Sequence, residues 1–207
     1  MADSAIELPI LIGGLPCLDF VNTVDDRLDP QPVDLLDSYA GLVAWSRHAG
    51  ALDAVEAARL TRLAGGGGET ALARALEVRE ALHGVLGAVA DRAPVPAADL
   101  ALVNGALAEL LGPQVLMPAG TGLGVGTAGE AGLDLDTPLR RVLRSAIELL
   151  EDGRSTHLVR RCAAPDCSFL FLDTSKSHSR LWCRSGGCGT RNRFRRYYAR
   201  HRKQRTP

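Results

Sequence analysis

Large aromatic side chains are scarce in this 207-residue chain. Phe, Trp and Tyr together make up 4% of it, whereas apolar residues as a whole make up 46%. The interior must therefore be built mainly from Leu, Val and Ala, a composition that favours a mainly helical fold. No run of about 18 apolar residues is present, which excludes a membrane-spanning helix from the sequence pattern. The length suits one large domain, or one domain with a small appendage.

The features of a secretory signal are also missing. The segment MADSAIELPILIGG carries Asp3 and Glu7 where a signal peptide has basic residues, and Pro9 interrupts its short apolar stretch. We therefore expect a soluble, cytoplasmic protein. In a reducing cytosol, paired cysteines are more often metal ligands than disulfides.

Acidic residues are absent from the last 34 positions, after Asp173. Residues 160–207 hold 13 Lys and Arg against 2 Asp and Glu, a net charge of +11, so residues 1–159 carry −11 and the whole chain is neutral. An acidic body followed by a basic end is typical of a protein that binds nucleic acid or another anionic surface.

The acidic body shows mainly helical patterns. Apolar residues recur at three- and four-residue steps between Glu69 and Asp91, which predicts a helix with one buried face. Another helix is predicted to start at Thr137, with Thr137 as its N-cap and Pro138 in its first turn. The same kinds of pattern predict three more helices, over Leu35–Ala49, Leu52–Ala64 and Asp99–Leu111.

Two short β elements are predicted among these helices. The apolar segments Gln114–Pro118 and Leu123–Thr127 flank a glycine-containing turn, which favours a β-hairpin. A second element, Thr156–Arg160, is predicted to be a strand that leads into the first cysteine pair.

Four of the five cysteines form two pairs of equal spacing, Cys162-x4-Cys167 and Cys183-x4-Cys188. Two such turns can offer four sulfurs to one tetrahedral zinc ion in a structural role. Two disulfides would suit an exported protein, and an iron–sulfur cluster also uses four thiolates, but the two-plus-two arrangement favours a single zinc ion. Cys17 is predicted to be a small buried apolar residue.

A basic helix is predicted directly after the last cysteine, with Thr190 as its N-cap. Its residues Phe194, Tyr197, Tyr198 and His201 form one mostly aromatic stripe flanked by arginines. In one interpretation the stripe packs on the cysteine turns and the basic residues contact DNA. The candidate contacts are Arg191, Arg193, Arg195, Arg196, Arg200 and Lys203, with Arg180 and Arg184 as additions from the cysteine segment. In the other interpretation the stripe is core, and the arginines are solvated or pair with the acidic body.

The segment RRCAAPDCSFLFLDTSKSHSRLWCRSGGCGTR resembles the CGNR zinc finger. The segment GGLPCLDFVNT resembles the start of the domain that commonly precedes this finger, the ABATE domain of stress-induced transcription regulators. The matching finger positions are Cys162, Cys167, Phe171, Asp173, Ser175, Arg180, Trp182, Cys183, Cys188, Gly189 and Arg191. The third place of the Cys-Gly-Asn-Arg motif holds Thr190. The resemblance implies a DNA-binding transcription regulator with an upstream sensing or partner-binding domain. In that domain, Asp19 and Asn22 could line a ligand site, or could cap and stitch the end of a strand.

Together these observations predict an α+β protein. Residues 1–155 would form a mainly helical regulatory domain with a small β-hairpin. Residues 156–207 would form a treble-clef-like zinc finger that ends in a basic helix, with Phe169, Phe171 and Trp182 as its small core.

The predicted function is zinc-dependent DNA binding in transcription regulation, with a small-molecule or protein effector and a homodimer as further expected partners, and no membrane. An RNA-binding zinc protein and a thiol-redox or protein-interaction module are the alternatives. No nucleophile–base pair or open metal site is visible, so an enzyme is not expected.

Overall fold

The computed structural model describes residues 8–25, 27–112, 114–119, 122–127 and 132–203, with the backbone only at 114–119, 122–127 and 199–203. The described residues form eight α-helices. They are α1 (Pro16–Val21), α2 (Tyr39–His48), α3 (Ala54–Leu63), α4 (Gly68–Asp91), α5 (Ala97–Leu111), α6 (Thr137–Glu151), α7 (Gly153–Thr156) and α8 (Thr190–Lys203). None of the helices in this part of the chain is both long and apolar enough to cross a bilayer.

Six short strands pair in sequence order into three separate antiparallel ribbons. They are β1 (Val24–Asp25) with β2 (Val33–Asp34), β3 (Gln114–Ala119) with β4 (Gly122–Thr127), and β5 (Val159–Arg161) with β6 (Leu170–Leu172). In the second ribbon Gln114 lies opposite Thr127 and Ala119 opposite Gly122, which confirms the predicted hairpin. The mainly helical α+β fold with a small hairpin is thus confirmed.

Helix α4 is the centre of the body because its apolar face is buried along most of its length. Helices α1, α2 and α5 and the ribbon β5–β6 all pack against it. Phe20 of α1 and Trp45 of α2 are fully buried and tilted against each other, with ring centroids 5.2 Å apart. Cys17 is also fully buried, as predicted, and burial raises the pKa of its thiol to about 11.

The β1–β2 ribbon is held against α4 by a buried arginine. The side chain of Arg79 is only 3% exposed, and its guanidinium donates two hydrogen bonds to the Asp34 carboxylate, at 2.6 and 2.8 Å. It also donates to the hydroxyl of Thr23 at 3.1 Å. A buried charge needs such partners, so this contact fixes where the ribbon lies relative to α1 and α4.

Several predicted boundaries are wrong. Helix α2 begins only after Ser38, whose hydroxyl accepts from the Gly41 amide, and α3 begins after Asp53, which forms a capping box with Glu56. Thr137 is not the N-cap of α6, because Asp136 occupies that position and the Thr137 hydroxyl accepts a hydrogen bond from the Asp134 amide. Local side-chain capping decides the starts of α2 and α3, whereas the side chain of Asp136 makes no capping hydrogen bond to α6.

The segment before the first cysteine pair also differs from the prediction. The expected strand Thr156–Arg160 begins later, at Val159, because Asp152 caps the short helix α7, which takes up Gly153–Thr156. Near the start of the chain, the apolar residues from Leu18 to Val21 lie in helix α1.

Candidate metal centre and nucleic-acid interface

The first cysteine pair lies in the turn that joins β5 to β6. The amide of Cys162 donates to the Phe169 carbonyl at 2.9 Å, and the amide of Cys167 donates to the Ala164 carbonyl at 3.1 Å. These bonds close a tight turn around Pro165 and Asp166, so both sulfurs lie on the same side of the ribbon.

The second pair lies at the start of α8. A π-helical turn over Ser185–Gly189 brings Cys188 back towards Cys183, and the Gly189 amide donates to the Arg184 carbonyl at 3.0 Å. A Cβ atom at Gly189 would lie 3.2 Å from the Trp182 ring, so a side chain here would crowd the turn. A ribbon turn plus a helix start is the treble-clef arrangement that the sequence predicts.

The four sulfurs of Cys162, Cys167, Cys183 and Cys188 lie within 4.8 Å of one another. The distance between the Cys167 and Cys183 sulfurs is 3.8 Å, and that between the Cys183 and Cys188 sulfurs is 3.6 Å. A tetrahedral zinc site with Zn–S bonds of about 2.3 Å has sulfur–sulfur edges of about 3.8 Å, whereas a disulfide bond is only about 2.05 Å long. The cluster therefore fits a structural zinc ion, and the predicted ligands come together.

Neighbouring groups affect these sulfurs in different ways. Hydrogen bonds from Cys167 and then Cys183 lower the pKa of Cys162, which favours its thiolate, whereas the hydrogen bonds with Cys162 raise the pKa of Cys167 and of Cys183. Zinc must therefore displace the protons of these two thiols when it binds. The Cys183 amide donates to the Cys162 sulfur at 3.4 Å, and the Arg191 guanidinium donates to the Cys188 sulfur at 3.3 Å. Such outer donors offset the negative charge of four thiolates and orient them.

The predicted core of the finger is confirmed, with Ala164 and Ile12 as additions. Phe171 is fully buried among the cysteines, and Phe169 and Trp182 pack against the same cluster. Ile12, from the segment that precedes α1, also packs there. Sequence patterns could not reveal this contact because about 150 residues separate Ile12 from the finger.

Two of the candidate DNA contacts, Arg180 and Arg184, differ in their surroundings. The Arg180 guanidinium lies 4.3 Å from the centre of the Phe171 ring and donates to the Trp182 carbonyl at 2.9 Å and to the Cys183 carbonyl. Arg180 therefore braces the second cysteine turn. Arg184 is exposed, and its guanidinium has no hydrogen bond or ion pair with any residue in the described part of the chain.

The aromatic stripe on α8 is exposed, which neither interpretation of the sequence predicts. Phe194, Tyr197 and Tyr198 are 58%, 56% and 66% exposed. Within residues 191–198 only Asn192 is buried, and its side-chain amide donates to the Cys188 carbonyl at 3.0 Å. After this first-turn anchor, residues 193–198 are exposed on all sides. The stripe therefore neither packs on the cysteine turns nor forms core.

The other candidate DNA contacts lie along α8 itself. Arg195 pairs with Asp166 of the first cysteine turn at 3.0 Å, and Arg191 lies 3.9 Å from the same carboxylate. The Arg196 guanidinium lies 5.8 Å from the centre of the Trp182 ring, while Arg193 has no partner among the described residues. Arg200 and Lys203 are on the same helix, and their side chains lie outside the described part.

Asp166 is a site residue that the sequence interpretation missed. The hydrogen bond from Arg195 lowers its carboxyl pKa. It is one of only two acidic residues in the strongly basic segment after residue 159. That isolation was the sequence feature that could have indicated an ion pair with the basic helix. Asp166 thus pairs with Arg195 and lies near Arg191, two cations that would otherwise be available to an anionic partner.

Thr190 is not an N-cap. It already has helical backbone angles, and its hydroxyl donates back to the Ser185 carbonyl at 3.0 Å. The helix needs no separate cap because the preceding π-helical turn continues directly into α8.

Asp19 and Asn22 have structural contacts at the joint between body and finger. The Asp19 carboxylate accepts from the amides of Ile12 and Gly13, at 2.7 and 2.6 Å. The Asn22 side chain pairs with both backbone groups of Leu170 on β6, donating at 2.7 Å and accepting at 2.9 Å. These bonds fit the stitching role, except that Asn22 follows a helix and stitches the edge of a distant strand. The ligand-binding role of both residues stays a prediction.

Comparisons with known protein families agree with this geometry. The family model ABATE, "Putative stress-induced transcription regulator", matches residues 14–153, which is more than half of the chain. The CGNR zinc finger model matches residues 159–201. No curated protein is significantly similar to the chain. Both matches agree with the resemblance seen in the sequence, and both families are regulatory or zinc-binding rather than enzymatic.

Proposed function

Because the chain belongs to the ABATE family of stress-induced transcription regulators and carries a CGNR zinc finger, we propose that it regulates transcription by binding duplex DNA through helix α8. The observation that carries this proposal is the exposure of residues 193–198, which include three arginines and three aromatic residues. Exposure of large aromatic rings to water is unfavourable, so a cluster of them on a solvent-exposed helix indicates a surface that a partner covers.

The dimensions and chemistry of α8 suit the DNA major groove. Its 14 residues span about 21 Å, and a helix with its side chains is about 10–12 Å wide, close to the groove width of about 12 Å. Arginine forks pair with guanine edges and with phosphates, and aromatic rings can contact thymine methyl groups. Arg193 and Arg196 are the least engaged by carboxylates, so we expect them to contribute most.

When bound, zinc supplies no chemistry beyond holding the two cysteine turns together. The residues of the chain do the positioning. Asn192 and Arg191 tie the first turn of α8 to Cys188, so the direction of the helix depends on the intact cluster. We propose that residues 1–155 receive a small-molecule or protein signal, and that a homodimer would read an inverted repeat.

The direct test is selection of genomic duplex fragments by the zinc-loaded protein, beside a chelated sample and over a range of salt concentrations. We expect a shared site that is lost on chelation. Arg193→Ala should reduce the slope of log affinity against log salt by about 0.9 if one phosphate contact is removed. The matched control is Arg59→Ala, an exposed arginine on α3 of the body, which should leave the slope unchanged. Absence of any enriched site, with weak binding at every salt concentration, would contradict the proposal.

Asp166 offers a change in the opposite direction. Asp166→Asn removes the carboxylate that pairs with Arg195 and lies near Arg191, so DNA affinity should rise. Zinc content must be measured alongside, because Asp166 is adjacent to Cys167. A fall in affinity at full zinc occupancy would mean that this ion pair holds α8 in its binding orientation.

The exposed rings also favour a second candidate, an RNA-binding protein. Bases in a duplex present only their edges, whereas unpaired bases stack on aromatic rings, for about 1–3 kcal/mol per base. Structured RNA with a single-stranded loop, competed against duplex DNA at matched salt, separates the two functions. Phe194→Ala and Tyr198→Ala should weaken RNA binding strongly if stacking dominates, and duplex binding only modestly.

A further inference from the structure

A cavity of about 820 Å³ lies between the body and the finger. Its body wall includes Ile10 and Ile12 of the segment before α1, and Leu35, which follows β2. Its finger wall is made by both cysteine turns, including Cys167, Cys183 and Cys188, and by Phe194 on α8, so a small part of the volume beside these sulfurs is the position of the zinc ion. The volume falls in the range of about 300–1,000 Å³ that is typical of small-molecule sites.

The walls of this cavity are mainly apolar. Ile12, Leu35 and Phe169 line it and are each partly exposed, while Ile10 and Phe194 are 60% and 58% exposed. An occupant that covered these side chains would gain about 25 cal/mol for each Å² of apolar surface removed from water. The cavity therefore favours a compound with an apolar body.

Most polar side chains that line the cavity already have partners. Asn22 pairs with the backbone of Leu170, Asp166 with Arg195, and Arg191 with the Cys188 sulfur. Among the described residues, Arg184 is the charged side chain of the lining that makes no hydrogen bond or ion pair, and the hydroxyl of Ser168 also makes no hydrogen bond there. An unpaired guanidinium at the edge of an apolar cavity is suited to an oxoanion, which it can bind with two parallel hydrogen bonds.

We propose that this cavity binds an apolar organic anion, with its carboxylate or related oxoanion on Arg184 and its apolar body against Ile12, Leu35 and Phe194. The site specifies the chemical class of the proposed effector. It rests on the proposed function only in the expectation that effector binding alters nucleic-acid binding. An occupant would contact the body and the start of α8 at once. It would therefore stabilise, by mass action, one orientation of α8 relative to the body. That orientation would affect the affinity of α8 for its nucleic-acid target.

The test measures binding to the zinc-loaded full chain without nucleic acid, so its outcome is independent of DNA binding. The probes are anilinonaphthalene sulfonate, an apolar dye with one oxoanion, and Nile red, an uncharged apolar dye. We expect saturable binding of one sulfonate dye per chain. Arg184→Gln should weaken it roughly 10-fold to 100-fold, as expected for the loss of a hydrogen bond to a charged group. Arg59→Gln should leave it unchanged.

Two variants of the apolar wall locate the site. Leu35→Asp and Phe194→Ala should each weaken dye binding, whereas Leu63→Asp, on an exposed leucine of α3, should not. Unchanged zinc content and melting temperature show that the variants are folded, and Phe194→Ala keeps the test valid if Leu35→Asp destabilises the body. Wild-type affinity in Arg184→Gln, Nile red binding as tightly as the sulfonate dye, or no saturable binding would each overturn the proposal.

Discussion

The core of the body and the core of the finger differ in size and in chemistry. In the described residues the body core contains 28 buried residues, mostly Leu, Val and Ala, whereas the finger core contains five, three of which are zinc ligands. So small an apolar core cannot offset the entropy of ordering about 45 residues, and a metal supplies what is missing. Burial therefore stabilises the body, and the finger depends on coordination.

The two cores meet on strand β6. Leu170 is fully buried in the body core, and the next residue, Phe171, is fully buried in the finger core. Successive side chains of a strand point to opposite faces, so one strand serves both cores. The ribbon β5–β6 thus belongs structurally to the body as well as to the finger, and four changes can test this division.

The largest effect should come from removing a zinc ligand. Cys183→Ser should abolish zinc binding and unfold the chain after β6, because the small finger core cannot persist alone, while the body remains folded. Zinc content and amide hydrogen exchange measure this, with protection lost in α8 and kept at Leu170. Cys17→Ala, which removes the buried cysteine outside the cluster, should keep one zinc per chain. Stoichiometric zinc in Cys183→Ser would refute the ligand assignment.

Next in size is the stitch between α1 and β6. Asn22→Ala leaves the buried amide and carbonyl of Leu170 without partners, so unfolding free energy should fall by about 3 kcal/mol. Denaturant unfolding measures the loss, and Asn104→Ala, on an exposed face of α5, is the matched control. Equal stability of the two variants would show that water replaces the stitch.

A smaller loss is expected where the chain passes closest to α1. A Cβ atom on Gly13 would lie 2.6 Å from the Leu18 Cβ and 2.7 Å from the Asp19 backbone nitrogen. Gly13→Ala must therefore displace the segment whose carbonyl accepts from Leu172 of β6, and should cost about 1–3 kcal/mol. Gly105→Ala, on an open helical surface of α5, should instead stabilise by up to about 1 kcal/mol. Similar effects of both changes would contradict the close approach.

The smallest expected effect is a pH dependence at the contact between α4 and the first cysteine turn. Burial, and then the charge of Arg27, lower the pKa of His83 to about 4, and its ring nitrogen lies 3.4 Å from the Ser168 carbonyl. Between pH 4 and about 6.5 the unfolded chain binds this proton and the folded chain does not. Stability from His83 is therefore present above about pH 6.5 and declines as pH falls towards 4.

Unfolding midpoints at pH 7 and pH 5 measure this dependence. His83→Gln should reduce the loss on acidification, and His48→Gln, an exposed histidine on α2, should not. The difference between each variant and the parent cancels the acid sensitivity that the zinc ligands share. An unchanged pH dependence in His83→Gln would show that the ring is protonated when folded.

The sequence by itself determined the chemistry of the metal site and the type of most elements. Equal spacing of four cysteines suffices for a zinc cluster, since the ligands and turns are local. Apolar periodicity predicted helix α4 to within one residue, and the glycine-containing turn predicted the β3–β4 ribbon. These are short-range features, which sequence patterns report directly.

Only the tertiary structure decided which surfaces are covered. The stripe at Phe194 has the spacing of a buried helical face yet lies in solvent, because Asn192 is the last buried residue of α8 in the described part of that helix, and beyond it arginine side chains reach the finger. Asn22 finds its partner 148 residues away on β6, and Asp166 meets Arg195 across the zinc site. Such pairings depend on distances between elements that no local pattern encodes. For that reason the zinc site was predictable, and the joint and its cavity were not.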